Sequence, residues 1–216
     1  MSQKEAVFSD HHIAHHFDTA EQEFDSAKLG MWLFLGQELL FFGGVFVVYT
    51  VFRNFYPEMF IDANKHLSWK IGSVNTIFLI VSSFTMAIGV RSAQTSKKNV
   101  LILCMILTFL FAAGFMVNKY FEYNEKIMHG FLPSKWFSGE GHFETMHIFF
   151  GLYFFATGLH GLHVLVGMGL IAWIIWRAQK GHFHAQYYTP VELVGLYWHL
   201  VDLIWIFLFP LFYLIG

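Results

Sequence analysis

The chain contains five long apolar stretches, each long enough to cross a lipid bilayer as a helix. The hydrocarbon core of a bilayer is about 30 Å thick and a helix rises about 1.5 Å per residue, so one span needs about 20 apolar residues. The stretches cover residues 28–52, 69–90, 100–123, 144–176 and 191–215. The fourth is too long for one upright span, so we expect it to tilt or protrude. The sequence therefore predicts an all-α membrane protein, a bundle of five transmembrane helices.

Composition agrees with a membrane location and excludes several classes of function. Only 13% of the residues are charged, whereas soluble domains carry about 25%. The formal net charge is −2, so nothing favours a nucleic-acid partner. The single cysteine, Cys104, lies in an apolar run and excludes an internal disulfide or a cysteine-based zinc site.

The charged residues near the helix ends predict an orientation. Residues 1–27 are polar and acidic, so we interpret them as an N-terminal tail and residues 28–216 as the transmembrane domain. The short link at residues 91–98 carries three basic residues, and cytoplasmic loops are enriched in these. We therefore expect a cytoplasmic N-terminus and a C-terminus outside. For the histidines at 11–16, a flexible interfacial tail is favoured over a metal site.

Glu38 is an ionisable residue near the centre of the first predicted span. A charge at that depth costs about 2.5–3.5 kcal/mol on insertion scales. Glu38 is therefore expected either to be protonated in a helix contact or to face a polar cavity, a lipid head group or a proton path. The neighbouring Gly36, Gly43 and Gly44 are expected to let another backbone approach closely.

The fourth and fifth spans carry further polar residues at helical spacing. His160 and His163 lie one turn apart on the same face of the fourth helix, and His199 and Asp202 share a face of the last helix. Such histidines either satisfy internal hydrogen bonds or, when two helices each supply one, ligate a haem. The spacing of His160 and His163 is not that of a zinc site built at i, i+4.

The end of the third span is also charged. Lys119, Glu122 and Lys126 have the spacing of helical ion pairs, beside Tyr123. We interpret them as an interfacial ladder of ion pairs with a tyrosine anchor.

Several of these strings resemble subunit III of the haem–copper terminal oxidases, and the resemblance covers nearly all of residues 28–216. It is carried by the strings Phe34-Leu-Gly-Gln-Glu-Leu-Leu-Phe-Phe42, Asn75-Thr76 with Ser82-Ser83, Glu122-Tyr123, Thr157-Gly-Leu-His-Gly-Leu-His163 and Tyr197-Trp-His-Leu-Val-Asp-Leu-Ile-Trp205. The longer members of that family carry two further N-terminal helices, so we expect one arm of their V-shaped lipid cleft to be missing here. Lys119 stands where the longer members usually have Gln, which favours a bacterial branch.

The resemblance implies an accessory subunit with no catalytic residue, metal or redox cofactor of its own. Haem and copper are expected in the large catalytic subunit I. The expected partners are this subunit, the other oxidase subunits and membrane phospholipid, and assembly into a larger respiratory supercomplex stays open. The implied roles are to stabilise the catalytic subunit and to sustain proton uptake during aerobic respiration. The implied location is the bacterial plasma membrane.

The resemblance also assigns candidate residues. Lipid or polar-cavity contacts are expected at Glu38, His160, His163 and Arg177. Further intramembrane polar contacts are expected at His199, Asp202, Glu192, Asn75 and Glu122. For Arg177, a contact with a lipid phosphate and a simple anchoring role at the cytoplasmic surface are both open.

Four alternative functions stay open at this point. Related subunits are associated with quinol oxidases and nitric oxide reductases. The intramembrane histidines are also compatible with a haem-binding membrane cytochrome. Glu38 and Asp202 are compatible with a proton channel, although the paired, broken helices typical of transporter repeats are absent from the pattern.

Overall fold

The computed structural model describes residues 17–132 and 145–215. Within these ranges the chain is helical apart from short connections, which include an isolated bridge between His184 and Tyr187. The elements, in chain order, are α1 (Ala20–Phe55), α2 (Pro57–Asn64), α3 (Trp69–Gln94), α4 (Lys98–Met128), α5 (Met146–Gln179), α6 (Thr189–Phe209) and a closing π-helical turn (Pro210–Leu214). The predicted histidine-rich tail at 11–16 and the predicted start of the fourth span at Glu144 lie outside the described residues.

Five helices in the described ranges are long and apolar enough to cross a membrane: α1, α3, α4, α5 and α6 with its closing turn. This confirms the predicted bundle of five transmembrane helices. The outer surface is apolar as well, since Leu40, Phe84 and Leu110 are 79%, 66% and 58% exposed. A continuous apolar surface of this kind needs lipid or another protein against it.

The first spanning helix is longer than the hydropathy of the sequence indicates. It begins at Ala20, whereas the predicted span begins at residue 28. The Thr19 side chain accepts a hydrogen bond from the Gln22 backbone amide at 3.1 Å, which caps the helix. Glu21 and Glu23 lie in the first turn, where the helix dipole favours negative charge. These turns are polar, so a search for apolar residues does not find them.

A short helix, α2, joins α1 to α3 and was not predicted. It begins with Pro57, whose fixed φ suits the first position of a helix. Its Met59, Phe60 and Ala63 are buried, and the Phe60 ring packs edge-on against Phe149 of α5 at a centroid distance of 5.2 Å. The connection is therefore folded back onto the bundle.

The spanning helices pack in a definite order. Helix α3 lies along α4, α5 packs on α4, and α6 lies against both α3 and α5. Trp198 of α6 is fully buried and donates its indole N–H to the Ser82 hydroxyl of α3 at 3.1 Å. The same ring reaches α5 at Gly167, where an added Cβ would lie 2.7 Å from ring carbons. Trp198 thus joins three helices at a point where only glycine fits.

The closing turn is fixed by side chains from earlier helices. The Tyr49 hydroxyl of α1 donates a hydrogen bond to the Leu211 carbonyl, and the Asn64 amide of α2 donates to the Phe212 carbonyl at 2.6 Å. Carbonyls at a helix C-terminus have no partner within the helix, and an unpaired carbonyl in a membrane is costly. The turn is therefore stabilised by contacts with α1 and α2.

We predict that Gly167→Val destabilises the bundle, because the added methyl groups displace the Trp198 ring. Overpacking of this kind costs about 1–3 kcal/mol. Gly44→Val is the matched control, since Gly44 also lies within a spanning helix but has open space where a Cβ would stand. Unfolding of the purified chain in detergent measures both variants, and equal stability losses would contradict the packing described here.

Candidate functional site

Glu38 of α1 and His163 of α5 form a pair near the middle of the bundle. Glu38 Oε2 lies 3.2 Å from His163 Nε2. The other ring nitrogen, Nδ1, lies 2.8 Å from the Leu159 carbonyl oxygen, and because a carbonyl only accepts, Nδ1 carries a proton. The pair is then either a neutral carboxylic acid donating to imidazole or a carboxylate accepting from imidazolium. Both forms have zero net charge, which lowers the cost of placing them in a membrane.

The surroundings of this pair are aromatic and lie close to the bilayer. The His163 ring meets the edge of Phe42 at 5.4 Å, and the Tyr197 hydroxyl donates to the His163 carbonyl oxygen at 2.9 Å. The side chains of His163 and Glu38 are 17% and 10% exposed. The pair is therefore within reach of a molecule in the bilayer beside α1.

The expected role of the glycines near Glu38 is wrong. An added Cβ at Gly36, Gly43 or Gly44 meets nothing within 4 Å among the described residues. Within the described part of the chain, no other backbone approaches α1 at these three glycines. Glu38 is held by the His163 side chain, not by close helix packing.

His160 lies one turn from His163, but its surroundings are entirely different. It is fully buried between Phe115 and Trp205, at centroid distances of 5.5 and 5.2 Å. Neither ring nitrogen has a hydrogen-bond partner in the described part of the chain. The prediction that His160 and His163 share one face is therefore wrong, because His160 points between α4 and α6 and His163 points to α1. Within residues 17–132 and 145–215, no three His, Cys, Asp or Glu residues are grouped so that they could hold a metal ion.

Lys119 of α4 is the centre of a buried polar cluster. Its ammonium nitrogen donates at 3.0 Å to Glu122 Oε2, to the Tyr153 hydroxyl of α5 and to the Tyr213 hydroxyl of the closing turn. The Tyr213 hydroxyl in turn donates to Glu122 Oε1 at 2.6 Å. All three ammonium protons thus have acceptors, as a buried cation requires. The cluster joins α4, α5 and the end of the chain.

This cluster corrects the predicted interfacial ladder. The Lys119 and Glu122 side chains are only 7% and 1% exposed, so the pair lies inside the bundle. The predicted contact between Glu122 and Lys126 does not form, since Lys126 pairs with Glu125 at 3.4 Å. The helical spacing correctly predicted the Lys119–Glu122 ion pair. The spacing did not predict that the pair is buried, because the tyrosines that complete the cluster, Tyr153 and Tyr213, come from distant parts of the sequence.

His199 and Asp202 of α6 line a groove between α3 and α6 with a volume of about 420 Å³. Ser83 of α3 is hydrogen-bonded to His199 Nδ1 at 2.7 Å. Asp202 is 4% exposed, and neither of its carboxyl oxygens has a hydrogen-bond partner among the described residues. The rest of the lining is mainly apolar and consists of Thr76, Leu79, Ile80, Phe84, Ala87, Leu203, Trp205 and Ile206.

The two remaining polar candidates make contacts between helices. The Asn118 amide of α4 donates to Asn75 Oδ1 of α3 at 3.0 Å, and Asn75 is fully buried. Glu192 at the start of α6 pairs with Lys28 of α1 at 3.1 Å. This ion pair lies at the opposite end of the bundle from the closing turn, so α1 is attached to α6 at that end too.

Arg177 lies at the end of α5 beside aromatic rings. Its guanidinium group lies 5.2 Å from the Trp173 ring centroid and 5.8 Å from that of Phe183. Lys180 lies over Trp176 at 3.6 Å. Among the described residues Arg177 has neither an ion pair nor a hydrogen bond with another side chain. Its donors are therefore available to a ligand at the membrane surface.

Comparisons with known proteins point to one family. The family model described as cytochrome c oxidase subunit III matches residues 4–216. The chain is 31% identical to cytochrome c oxidase subunit 3 of Thermostichus vulcanus, over 92% of each chain. It is 28% identical to quinol oxidase subunit 3 of Bacillus subtilis, over 95% of this chain and 97% of the relative. It is 29% identical to cytochrome bo(3) ubiquinol oxidase subunit 3 of Pseudomonas putida, over 87% and 85%.

The buried Lys119 cluster generates a stability prediction. Lys119→Met leaves Glu122 without its ammonium partner, and breaking a buried ion pair costs about 3–5 kcal/mol. The double variant Lys119→Met with Glu122→Leu removes both charges and is expected to recover most of that loss. Lys65→Met is the control, because Lys65 pairs with Asp62 but is 70% exposed, and such pairs contribute about 0–1 kcal/mol. Unfolding in detergent measures all three, and a double variant no more stable than Lys119→Met would contradict the assignment.

Proposed function

The chain belongs to the cytochrome c oxidase subunit III family, and we propose that it is an accessory subunit of a proton-translocating haem–copper terminal oxidase. In this proposal the partner catalytic subunit holds the haem and copper, and this chain stabilises that subunit and sustains proton uptake. The family match over residues 4–216 is the observation that carries the proposal. The location that fits it is a bacterial plasma membrane, with the N-terminus in the cytoplasm.

The contacts of the intramembrane histidines support a role without a redox centre in this chain. His163 is engaged by Glu38, His199 by Ser83, and His160 packs between aromatic rings. A bis-histidine haem site needs two histidines that face each other across the cofactor. These three side chains instead serve contacts between different pairs of helices.

The Glu38–His163 pair is the candidate for the contribution to proton uptake. Its two neutral forms differ by the transfer of one proton over a single hydrogen bond of 3.2 Å. It lies between α1 and α5, largely buried against Phe42, with only 17% of the His163 side chain and 10% of the Glu38 side chain exposed toward the membrane. A supporting role fits this position better than a step in oxygen reduction.

We therefore expect Glu38→Gln to leave the initial rate of oxygen consumption of the assembled oxidase nearly unchanged. The effect is expected later, as a smaller number of turnovers before activity is lost. An oxygen electrode measures both quantities on the purified complex. Gln37→Ala, one residue away on the exposed side of α1, serves as the control. Loss of activity in the first turnovers with assembly intact would mean that Glu38 acts directly in catalysis.

Arg177 is the candidate contact for an acidic phospholipid. Its planar guanidinium group can bind a phosphate through two parallel hydrogen bonds. The rings of Trp173 and Trp176 beside it are typical of side chains at the bilayer surface. Lys180 supplies a second positive charge one turn along the chain.

We expect Arg177→Ala to reduce the amount of acidic phospholipid that copurifies with the complex. One basic residue near an anionic surface contributes about 1 kcal/mol, which corresponds to about a fivefold change in retention. Arg91→Ala is the control, because Arg91 lies at the same end of the bundle and is bonded to Gln94 at 3.3 Å. Mass spectrometry of extracted lipids measures the difference, and equal retention by both variants would contradict the role of Arg177.

A quinol oxidase is the second candidate for the parent complex. It is favoured by the relatives in Bacillus subtilis and Pseudomonas putida, which are named as quinol oxidase subunits. The two candidates differ in the electron donor, which is bound by other subunits. Oxygen consumption by the purified complex with reduced cytochrome c or with a quinol as the only donor distinguishes them.

A further inference from the structure

The groove between α3 and α6 contains a buried carboxyl group, that of Asp202, whose hydrogen bonding the described residues do not complete. Asp202 is 4% exposed, lines the groove, and has no hydrogen-bond partner on either oxygen in the described part of the chain. Ser83 is the neighbouring hydroxyl; it is bonded to His199 Nδ1 at 2.7 Å and has a single proton, so it can supply at most one of the donors that a carboxyl group with two oxygens accepts. Other acidic side chains at this level of the bundle are paired, such as Glu38 with His163. Asp202 therefore differs from Glu38, a carboxyl group at a similar depth for which the chain supplies a side-chain partner.

The depth of Asp202 restricts what can fill the groove. Asp202 lies halfway along the last span, Thr189–Leu214, about 20 Å from its start by helical rise. That is close to the centre of a hydrocarbon core about 30 Å thick. Lipid head groups do not reach this depth, and acyl chains carry no hydrogen-bond donor. A lipid neighbour would leave the carboxyl group without a partner in an apolar medium.

The walls of the groove are suited to the side of another helix. Ser83 and Ala87 are the small residues that line it on α3, while the lining residues Phe84, Leu203 and Ile206 are 66%, 44% and 46% exposed. Helices in membranes approach each other closely where small residues lie at the contact, and polar side chains bond across such contacts. The groove has small residues at the contact and a polar side chain, the carboxyl group of Asp202, which can accept a hydrogen bond from a neighbouring helix.

We propose that this groove is the docking site for a transmembrane helix of the partner catalytic subunit, and that this helix presents a hydrogen-bond donor to Asp202. The donor is a basic, amide, indole or hydroxyl side chain, since each of these can complete the bonding of a carboxyl group. The inference rests on the proposed function, because it requires that the chain is assembled in an oxidase. Beyond the proposed function, the inference specifies which face of this chain contacts the catalytic subunit and identifies Asp202 as the polar residue of that contact.

Crosslinking in the intact complex tests the face. A photoreactive phenylalanine analogue is placed at Phe84, at the edge of the groove, and separately at Leu110, on the outer face of α4. Both positions are exposed, 66% and 58%, and both lie near the middle of their helices. We expect Phe84 to crosslink to the haem-bearing subunit and Leu110 not to do so. Crosslinks from Leu110 with none from Phe84 would overturn the proposal.

Substitution of Asp202 tests the hydrogen bond. Asp202→Leu is expected to lower the amount of this chain retained in the detergent-purified oxidase by about tenfold, because the donor on the partner loses its acceptor. Asp202→Asn keeps one acceptor oxygen and is expected to stay within about threefold of the unaltered protein. The unfolding midpoint of the isolated Asp202→Leu chain shows that it folds, and it should be equal or higher, because a buried unpaired carboxyl is removed. Full retention of Asp202→Leu would overturn the proposal.

Two further outcomes separate this inference from the proposed function. If a quinone copurifies with the isolated chain and is lost in Asp202→Leu, the groove is a small-molecule site and the docking proposal is overturned. If the unaltered chain does not copurify with any haem-containing oxidase, the proposed function fails and the inference fails with it. Association that persists with crosslinks from another face overturns the inference alone.

Discussion

The architecture depends on how a buried lysine is stabilised in an apolar bundle. The Lys119 ammonium group has three acceptors, each at 3.0 Å, and it also lies within 5.6 Å of four aromatic ring centroids, those of Tyr123, Tyr153, Trp205 and Tyr213. A cation without such partners would cost several kcal/mol. Because the acceptors come from α5 and from the closing turn, the cation is stable only when these elements are in place. The end of the chain is therefore positioned by the same contacts that make the charge tolerable.

Helix length and hydropathy were sufficient to predict the five spans, because a bilayer sets a minimum length of apolar residues that the sequence displays directly. They were not sufficient for α2 or for the first turns of α1. Those segments are polar or amphipathic, and their helical state depends on the Thr19 cap, on Pro57 and on burial of Phe60 against α5. Such signals are local and weak, so they become informative only once the neighbouring helices are known.

For the polar residues too, the sequence predicts neighbours along one helix but not contacts with other helices. Spacing along a helix correctly placed His160 near His163 and Lys119 near Glu122, but neighbours from other helices decide what each side chain does. His160 points to Phe115 and Trp205, whereas His163 meets Glu38. The glycines around Glu38 were misread for a related reason. Glycine permits close packing against a helix, but the sequence does not show which glycines are used for it. The Trp198 ring packs against Gly167, whereas no described residue packs closely against Gly36, Gly43 or Gly44.

Taken together, the intramembrane polar groups divide by whether the fold completes their bonding. Lys119 and Glu122 are satisfied within the chain, and Glu38 shares a hydrogen bond with His163 at the outer surface. Neither the Asp202 oxygens nor the His160 ring nitrogens have a hydrogen-bond partner within the described residues, and of the two side chains only Asp202 lines a groove that is open to another molecule. A hydrophobic side chain would be the more stable choice at this position in an isolated bundle, since an unpaired carboxyl is costly in a membrane. In the proposed assembly, a donor on a helix of the partner subunit completes the bonding of this carboxyl group and offsets part of its cost. Because Asp202 lies halfway along the last span, the proposed donor would lie at the depth of the membrane centre, where a hydrogen bond between helices has little competition from water.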